Sequence, residues 1–199
     1  RGLMDWGVSD RWMPATTGLI FLIPFLVCVY LLYRLPPPTK EDEALRTKRV
    51  PMDAAARMAF IKQSALGLGL LTTLYIFLTA YRDFRDNFAA EIWEAIGYGD
   101  TPEIFTLSEL PIAFTVLVTL ALLVKIKDNR RAMLAVHMVM MSGCALIGGS
   151  TLLFELGAIS GAAWMITVGL GAYLAYVPYG SMLFDRLLAA LGSAGTAGF

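Results

Sequence analysis

Charge, histidine and cysteine are scarce in this sequence. Only 16% of its residues are Asp, Glu, Lys or Arg, where a soluble domain carries about a quarter. Sixteen basic and sixteen acidic residues cancel, so no net field draws nucleic acid or an acidic partner, and nucleic acid is not an expected partner. The two cysteines, Cys28 and Cys144, lie in apolar runs, where a thiol behaves as a small hydrophobe. Two such residues make neither a disulfide framework nor a metal site. His137 is the single histidine, and the chain lacks HExxH, a P-loop, GxGxxG and paired-histidine haem spacing. No metal and no cofactor are therefore expected, and the chain does not read as an enzyme.

Hydrophobic residues make up 57% of the chain, and its mean hydropathy is +0.64. A hydrocarbon core needs roughly 20 mostly apolar residues per helix. Five segments meet or approach that length: Thr16 to Tyr33, Met58 to Tyr81, Leu107 to Ile126, Ala132 to Phe154 and Ser160 to Phe184. The expected fold is an all-α, polytopic transmembrane bundle of about five spanning helices in a lipid bilayer. The closing "GSAGTAGF" reads as the start of a sixth helix, and the opening residues from Arg1 form no signal peptide. An internal piece of a longer membrane protein is expected.

The connections add detail. Trp6 and Trp12 are candidate interfacial anchors, and Pro24 predicts a kink in the first helix. "RLPPPTKEDEALRTKRVP", Arg34 to Pro51, is charged and proline-rich and reads as a solvated linker with a short polyproline piece. Asp53 is a candidate N-cap for the second helix. For the third, Thr106 with Glu109 forms a capping box. Ser108 alone is favoured, because it puts Pro111 in the first turn. "ELGAIS" reads as a tight hairpin between the fourth and fifth helices. Seven basic residues lie between Arg34 and Lys62, Lys125, Lys127, Arg130 and Arg131 follow the third helix, and Arg186 follows the fifth. Only Arg1, Arg11, Arg82 and Arg85 remain for the other side, so the positive-inside rule puts loops 34–57 and 125–131 in the cytoplasm.

At 100° per residue, Thr72, Tyr75, Thr79, Arg82, Asp83 and Asp86 share an arc of about 100° on the second helix, with Arg85 off to the side. The charges thus continue a polar stripe that begins inside the apolar run. Arg82 with Asp86 is an i,i+4 pair, and Asp83 with Asp86 is i,i+3. Two readings stay open: a self-neutralised ion-pair cluster at the outer interface, or a gate or ligand contact. On the fourth helix His137, Met141, Cys144, Gly148, Thr151 and Glu155 form a stripe, with Ala145 and Gly149 as a small-xxx-small pair. Close packing is the favoured reading there. His137 and Glu155 are about 27 Å apart along the axis, too far to act as a pair. On the fifth helix Gly169, Tyr173, Tyr176 and Gly180 share a face, Pro178 frees a carbonyl one turn earlier, and Gly171 with Ala175 is a second small pair. Three tyrosines within seven residues need a polar destination. The candidate binding or gating residues are Tyr75, Arg82, Asp83, Arg85, Asp86, Asn87, Tyr173, Tyr176 and Tyr179. Asp83, Asp86 and Glu155 are the candidates for a coupling proton.

The order of helix, long basic linker and alternating helices with a short basic turn resembles the middle and second half of a major facilitator superfamily transporter. On that likeness the five helices are similar to the sixth to tenth of twelve. Residues 1–33 would close the N-terminal half, 34–57 would link the halves, and 58–199 would form an incomplete C-terminal bundle. "KIKDNRRAM" looks like the superfamily's basic cytoplasmic turn, with Asp128, Arg130 and Arg131 at its acidic and basic positions, though its characteristic glycine is absent. More closely, "AYRDFRDNFAAEIW", "FTLSELPIA", "KDNRRAM" and "YLAYVPYGSMLFDRL" resemble a bacterial family of unknown function assigned to that superfamily. The resemblance implies that the second and fifth helices line a central cavity. The expected function is secondary active transport of a small polar or charged solute, with a coupling proton or ion, by a monomeric full-length protein in a bacterial inner membrane. The alternative is a transporter-like sensor or assembly partner without transport activity.

Overall fold

A computed structural model describes residues 2–40, 43, 53–101 and 103–191. The expected start of a sixth helix in "GSAGTAGF" and most of the linker lie outside the described residues. Among those described there are helices and no strand. The chain divides into two compact units, Arg1–Arg46 and Thr47–Phe199.

The first unit holds α1 (Gly2–Asp5) and α2 (Met13–Tyr33). Helix α2 is apolar all round and has no buried residue, with Pro24 inside it. Such a helix suits lipid on every side. Trp6 and Trp12 are exposed ahead of it.

The second unit comprises α3 (Ala54–Asn87), α4 (Ala89–Ala95), α5 (Ile104–Val124), α6 (Asn129–Glu155), α7 (Gly161–Pro178), a π-helical turn (Tyr179–Leu183) and α8 (Phe184–Leu191). Among the described residues five helical spans are long and apolar enough to cross a membrane. The chain is that of an integral membrane protein.

Local chemistry sets the helix ends. The Asp53 carboxylate accepts from the Ala56 N–H at 2.7 Å, and Asp128 caps α6 in the same way through the Arg131 N–H at 2.7 Å. The Ser160 Oγ accepts from the Ala163 N–H to start α7. The hairpin before α7 is built on Gly157, whose φ of +69° a side chain would oppose. There the Ala158 N–H bonds the Leu153 carbonyl and the Gly157 N–H bonds that of Phe154, closing a Schellman turn.

The start of α5 differs from expectation. Neither Thr106 nor Ser108 caps it; the helix begins at Ile104 with Glu103 at the cap position. Pro111 removes only the bond to the Leu107 carbonyl, so the helix continues upstream of it. Ser108 is fully buried, and its Oγ donates back to the Phe105 carbonyl at 3.1 Å.

Helix α7 is the centre of the bundle and packs against α6, α5 and α3. Its span is 44% buried, against 6% for α3 and 22% for α5 and α6. Lipid tails are as apolar as leucine, so helix association in a membrane depends on close packing and hydrogen bonds rather than on leaving water. The tightest backbone approach is between glycines: a Cβ added to Gly143 would meet the Gly171 carbonyl oxygen at 2.5 Å and the Ala175 nitrogen at 2.8 Å. Gly171 and Ala175 thus pack as the sequence suggests, but their partner is Gly143. The Ala145 and Gly149 pair is exposed. The expected packing stripe through Met141, Cys144 and Gly148 is also exposed. The buried line on α6 is instead Ala132, Val136, Met140, Gly143 and Ser150.

Helix α3 is 34 residues long, about 51 Å at 1.5 Å per residue, well beyond one hydrocarbon core. Its surplus carries the charged residues to the end of the bundle opposite the basic 125–131 turn.

Gly143→Ala should destabilise the fold by about 1–3 kcal/mol, because the new methyl meets fixed backbone. Gly148→Ala, whose Cβ would enter open space, should stay within about 1 kcal/mol of wild type. Thermal unfolding of both variants in detergent checks the contrast; equal shifts would remove the close approach as the reason.

Candidate functional site

Leu71, Leu74 and Leu78 form the inward face of α3, Leu78 being buried and the other two packed against the core. Arg85 lies seven residues beyond Leu78, two helical turns along the same line. It is therefore driven into the bundle and is only 4% exposed. The side of α3 on which Arg85 lies, off the polar stripe, is the protein interior.

A buried guanidinium must find acceptors. Arg85 Nη1 donates to Asp86 Oδ1 at 3.0 Å, and Nη2 donates to Glu109 Oε1 at 2.7 Å. Nη2 also lies 3.4 Å from the Met165 carbonyl oxygen. One side chain on α3 thus binds α5 and α7 together. Its Nε is buried with no hydrogen-bond partner among the described residues. The guanidinium occupies a notch left by Gly169, where an added Cβ would lie 2.6 Å from Arg85 Cζ and 2.7 Å from Ile112 Cδ1. Gly169, read from sequence only as part of a tyrosine face, makes the seat for the arginine.

Around this core the other polar residues assemble. The Tyr173 hydroxyl donates to Asp86 Oδ2 at 2.9 Å, so both oxygens of Asp86 are engaged. Arg82 pairs with Asp83, through Nε at 3.1 Å and Nη2 at 2.5 Å, not with Asp86 four residues on. Its Cζ also sits 4.2 Å over the Tyr176 ring. Tyr75 stacks between Tyr176 and Tyr179, with centroids at 5.8 and 5.1 Å. The Tyr75 and Tyr176 hydroxyl oxygens are 3.4 Å apart, and the Tyr179 hydroxyl donates to the Leu71 carbonyl at 3.0 Å. From Asp86 to Tyr75 the network follows α3 for eleven residues, about 16 Å, from the helix end toward mid-span. The π-turn after Pro178 carries Tyr179 into this stack; such turns recur at functional positions.

Eight of the candidate binding or gating residues therefore fall into two groups side by side along α3: Arg85 and Asp86 with Tyr173, and Arg82 and Asp83 with Tyr176, Tyr75 and Tyr179. Asn87, exposed at the last position of α3, is outside the network. So is Glu155, exposed at the last position of α6. His137 stays within its own helix, with Nδ1 2.8 Å from the Met133 carbonyl. Arg130 and Arg131 are exposed, and Asp128 caps α6. At that end of the bundle Arg186 Nη1 donates to Asn129 Oδ1 at 2.9 Å, tying α8 to α6.

Sequence reasoning missed Glu109 as a site residue and treated it as a cap. The signal was an acid in an otherwise apolar run, "LSELPIAF", where α5 carries no other charge. Among the described residues no three metal-ligating side chains are grouped.

Two cavities border α3. One, of about 580 Å³, is lined by residues including Phe60, Leu71, Met133, His137 and Leu183. The other, of about 490 Å³, lies between α3 and α6 at Leu78, Tyr81, Cys144 and Ile147. Neither is lined by an aspartate, glutamate, lysine or arginine. The network's charged side chains pair with one another rather than lining either cavity.

Residues 2–199 match the model of a family of unknown function (DUF5690). The chain belongs to that family. No curated protein and no solved structure matches it. For this member the network's geometry stands as the functional observation.

The Arg85–Glu109 bond is measurable by a double-mutant cycle. Arg85→Gln with Glu109→Gln should show a coupling of about 1–3 kcal/mol, since removing one partner strands the other. The full cost of a buried pair is not reached, because the Glu109 side chain is 46% exposed. Arg85 with Asp83 should couple by less than about 0.5 kcal/mol. Equal couplings would show that the network is not centred on Arg85.

Proposed function

We propose that the chain forms part of a secondary active transporter that moves a small polar or charged solute by alternating access. The observation that carries this reading is the ion-pair and tyrosine network joining α3, α5 and α7 inside an apolar bundle. Ionisable groups in spanning helices are costly, and they commonly line solute paths or proton relays. The likeness to the second half of a major facilitator transporter points the same way, because there the counterparts of α3 and α7 line the cavity. Those are the helices that bear this network.

On this reading the loops 34–57 and 125–131 face the cytoplasm of a bacterial inner membrane. Residues 1–33 close the N-terminal half, and 58–199 belong to the C-terminal one. The network lies toward the outer face, where it latches α3 to α5 and α7. Asp86 is the favoured coupling group, since it bonds both Arg85 and Tyr173 and protonation would weaken both contacts. Opening the latch frees the tyrosine-lined stretch beneath it.

The full-length protein in proteoliposomes should take up at least one member of a panel of labelled small cations, anions and zwitterions above protein-free liposomes. Arg85→Gln and Asp86→Ala should each lower the initial rate about tenfold or more, the equivalent of one charge-assisted hydrogen bond. Uptake unchanged in both variants would remove the network from the mechanism. No uptake of any solute in the panel would count against transport itself.

A further inference from the structure

The charges of the network are not equally accessible. The side chains of Asp83, Asp86 and Glu109 are 48%, 37% and 46% exposed, whereas those of Arg82 and Arg85 are 25% and 4% exposed. Both guanidiniums are turned inward and the carboxylates outward. Arg85 is held by two carboxylates in the Gly169 notch, so it is not offered to an incoming anion. Three carboxylates also share two guanidiniums, leaving one negative charge uncompensated among the described residues. A solute approaching this surface meets negative charge first.

A second, independent observation concerns the tyrosines. The face of Tyr176 already binds a cation, the Arg82 guanidinium 4.2 Å above its centroid. Tyr75 stacks beside it and is 38% exposed. An electron-rich ring face recognises guanidinium and alkylammonium groups, and here the carboxylate of Asp83 holds the same guanidinium that lies on the ring.

We infer that the site takes an organic cation with a guanidinium or ammonium head group, and that Arg82 is a tethered occupant which this solute displaces. The head group would sit on Tyr176 beside Tyr75 and pair with Asp83, both relinquished by Arg82. Arg85 stays in place, keeping α3, α5 and α7 together while Arg82 swings away. The inference rests on the transport reading for the solute's passage, though not for its binding.

Binding to the purified full-length protein in detergent, measured by calorimetry with agmatine and choline as probes and glutarate as the anionic control, tests the assignment. At least one cation should bind and glutarate should not. Asp83→Asn and Tyr176→Leu should weaken the cation about tenfold, while Tyr176→Phe, which keeps the ring face, and Asp83→Glu, which keeps the charge, should stay within about threefold. Arg82→Ala should bind the cation more tightly, because its competitor is gone. Glutarate binding without cation binding, no binding by either cation, or loss of cation binding in Arg82→Ala would each overturn the inference. Should Tyr176→Leu or Asp83→Asn fail to run as wild type on size exclusion, Arg82→Ala still decides, since its sign is opposite for an anion site. Cation binding without uptake in proteoliposomes would sink the transport reading alone. Uptake of an anion without cation binding would sink this inference alone.

Discussion

A guanidinium that is 4% exposed inside an apolar bundle imposes requirements on everything near it. Stripped of water and unpaired, such a charge would cost several kcal/mol even after relaxation. Arg85 meets the requirement with Asp86 from its own helix, Glu109 from α5 and the Met165 carbonyl from α7. Those partners fix the rotation of α3, because only one face can present Arg85 to both neighbours. They also fix a glycine at position 169, since a methyl there would overlap the guanidinium. The helix rotations in this part of the bundle follow from satisfying one arginine.

Close packing supplies the complementary constraint. Helices in lipid gain nothing from leaving water, so contact area and hydrogen bonds must hold them. Gly143 and Gly171 let α6 and α7 approach backbone to backbone, and the Phe154–Trp164 stack with the Trp164–Thr151 hydrogen bond secures their hairpin end. Helix α7 is therefore fastened to α6 by shape and to α3 and α5 by charge. The first attachment is dry and short-ranged. The second is polar and partly exposed.

The fold was largely legible because its signals are long and redundant. Five apolar runs, Asp53 as a cap and the glycine hairpin at 157 each rest on several residues that agree. What could not be read was which face of each helix meets which neighbour. The stripe through Tyr75, Arg82 and Asp86 was visible at 100° per residue, but the depth of Arg85, off to its side, was not. Its depth follows from Leu78, two turns earlier, being the buried position, and burial is set by neighbours that a single helix does not reveal. Glu109 was hidden for a related reason: one acid near a helix start reads as a cap until a second helix supplies its arginine. The packing line on α6 was displaced in the same way, since small residues mark close approach without saying to what. Nor could the sequence separate Arg82, which lies on a ring face, from Arg85, which lies in a notch.

That separation decides what the network can do when helices move. Met165 and Tyr173 are eight residues apart on α7, about 12 Å along a rigid helix, and they contact Arg85 and Asp86, adjacent on α3. A sliding or tilting of α7 against α3 must strain both contacts together, so this attachment favours two discrete arrangements over a continuum. Arg82 takes no part in that coupling. Its bonds are to Asp83 on its own helix and to the face of Tyr176, and it can leave the ring without loosening α3 from α5. One arginine therefore holds the helices while the other guards an aromatic surface. A ligand that replaces the second need not first break the first. On the proposed reading such a ligand would bind while α3, α5 and α7 stay joined, and would act on them only through the carboxylates that the two arginines divide between them.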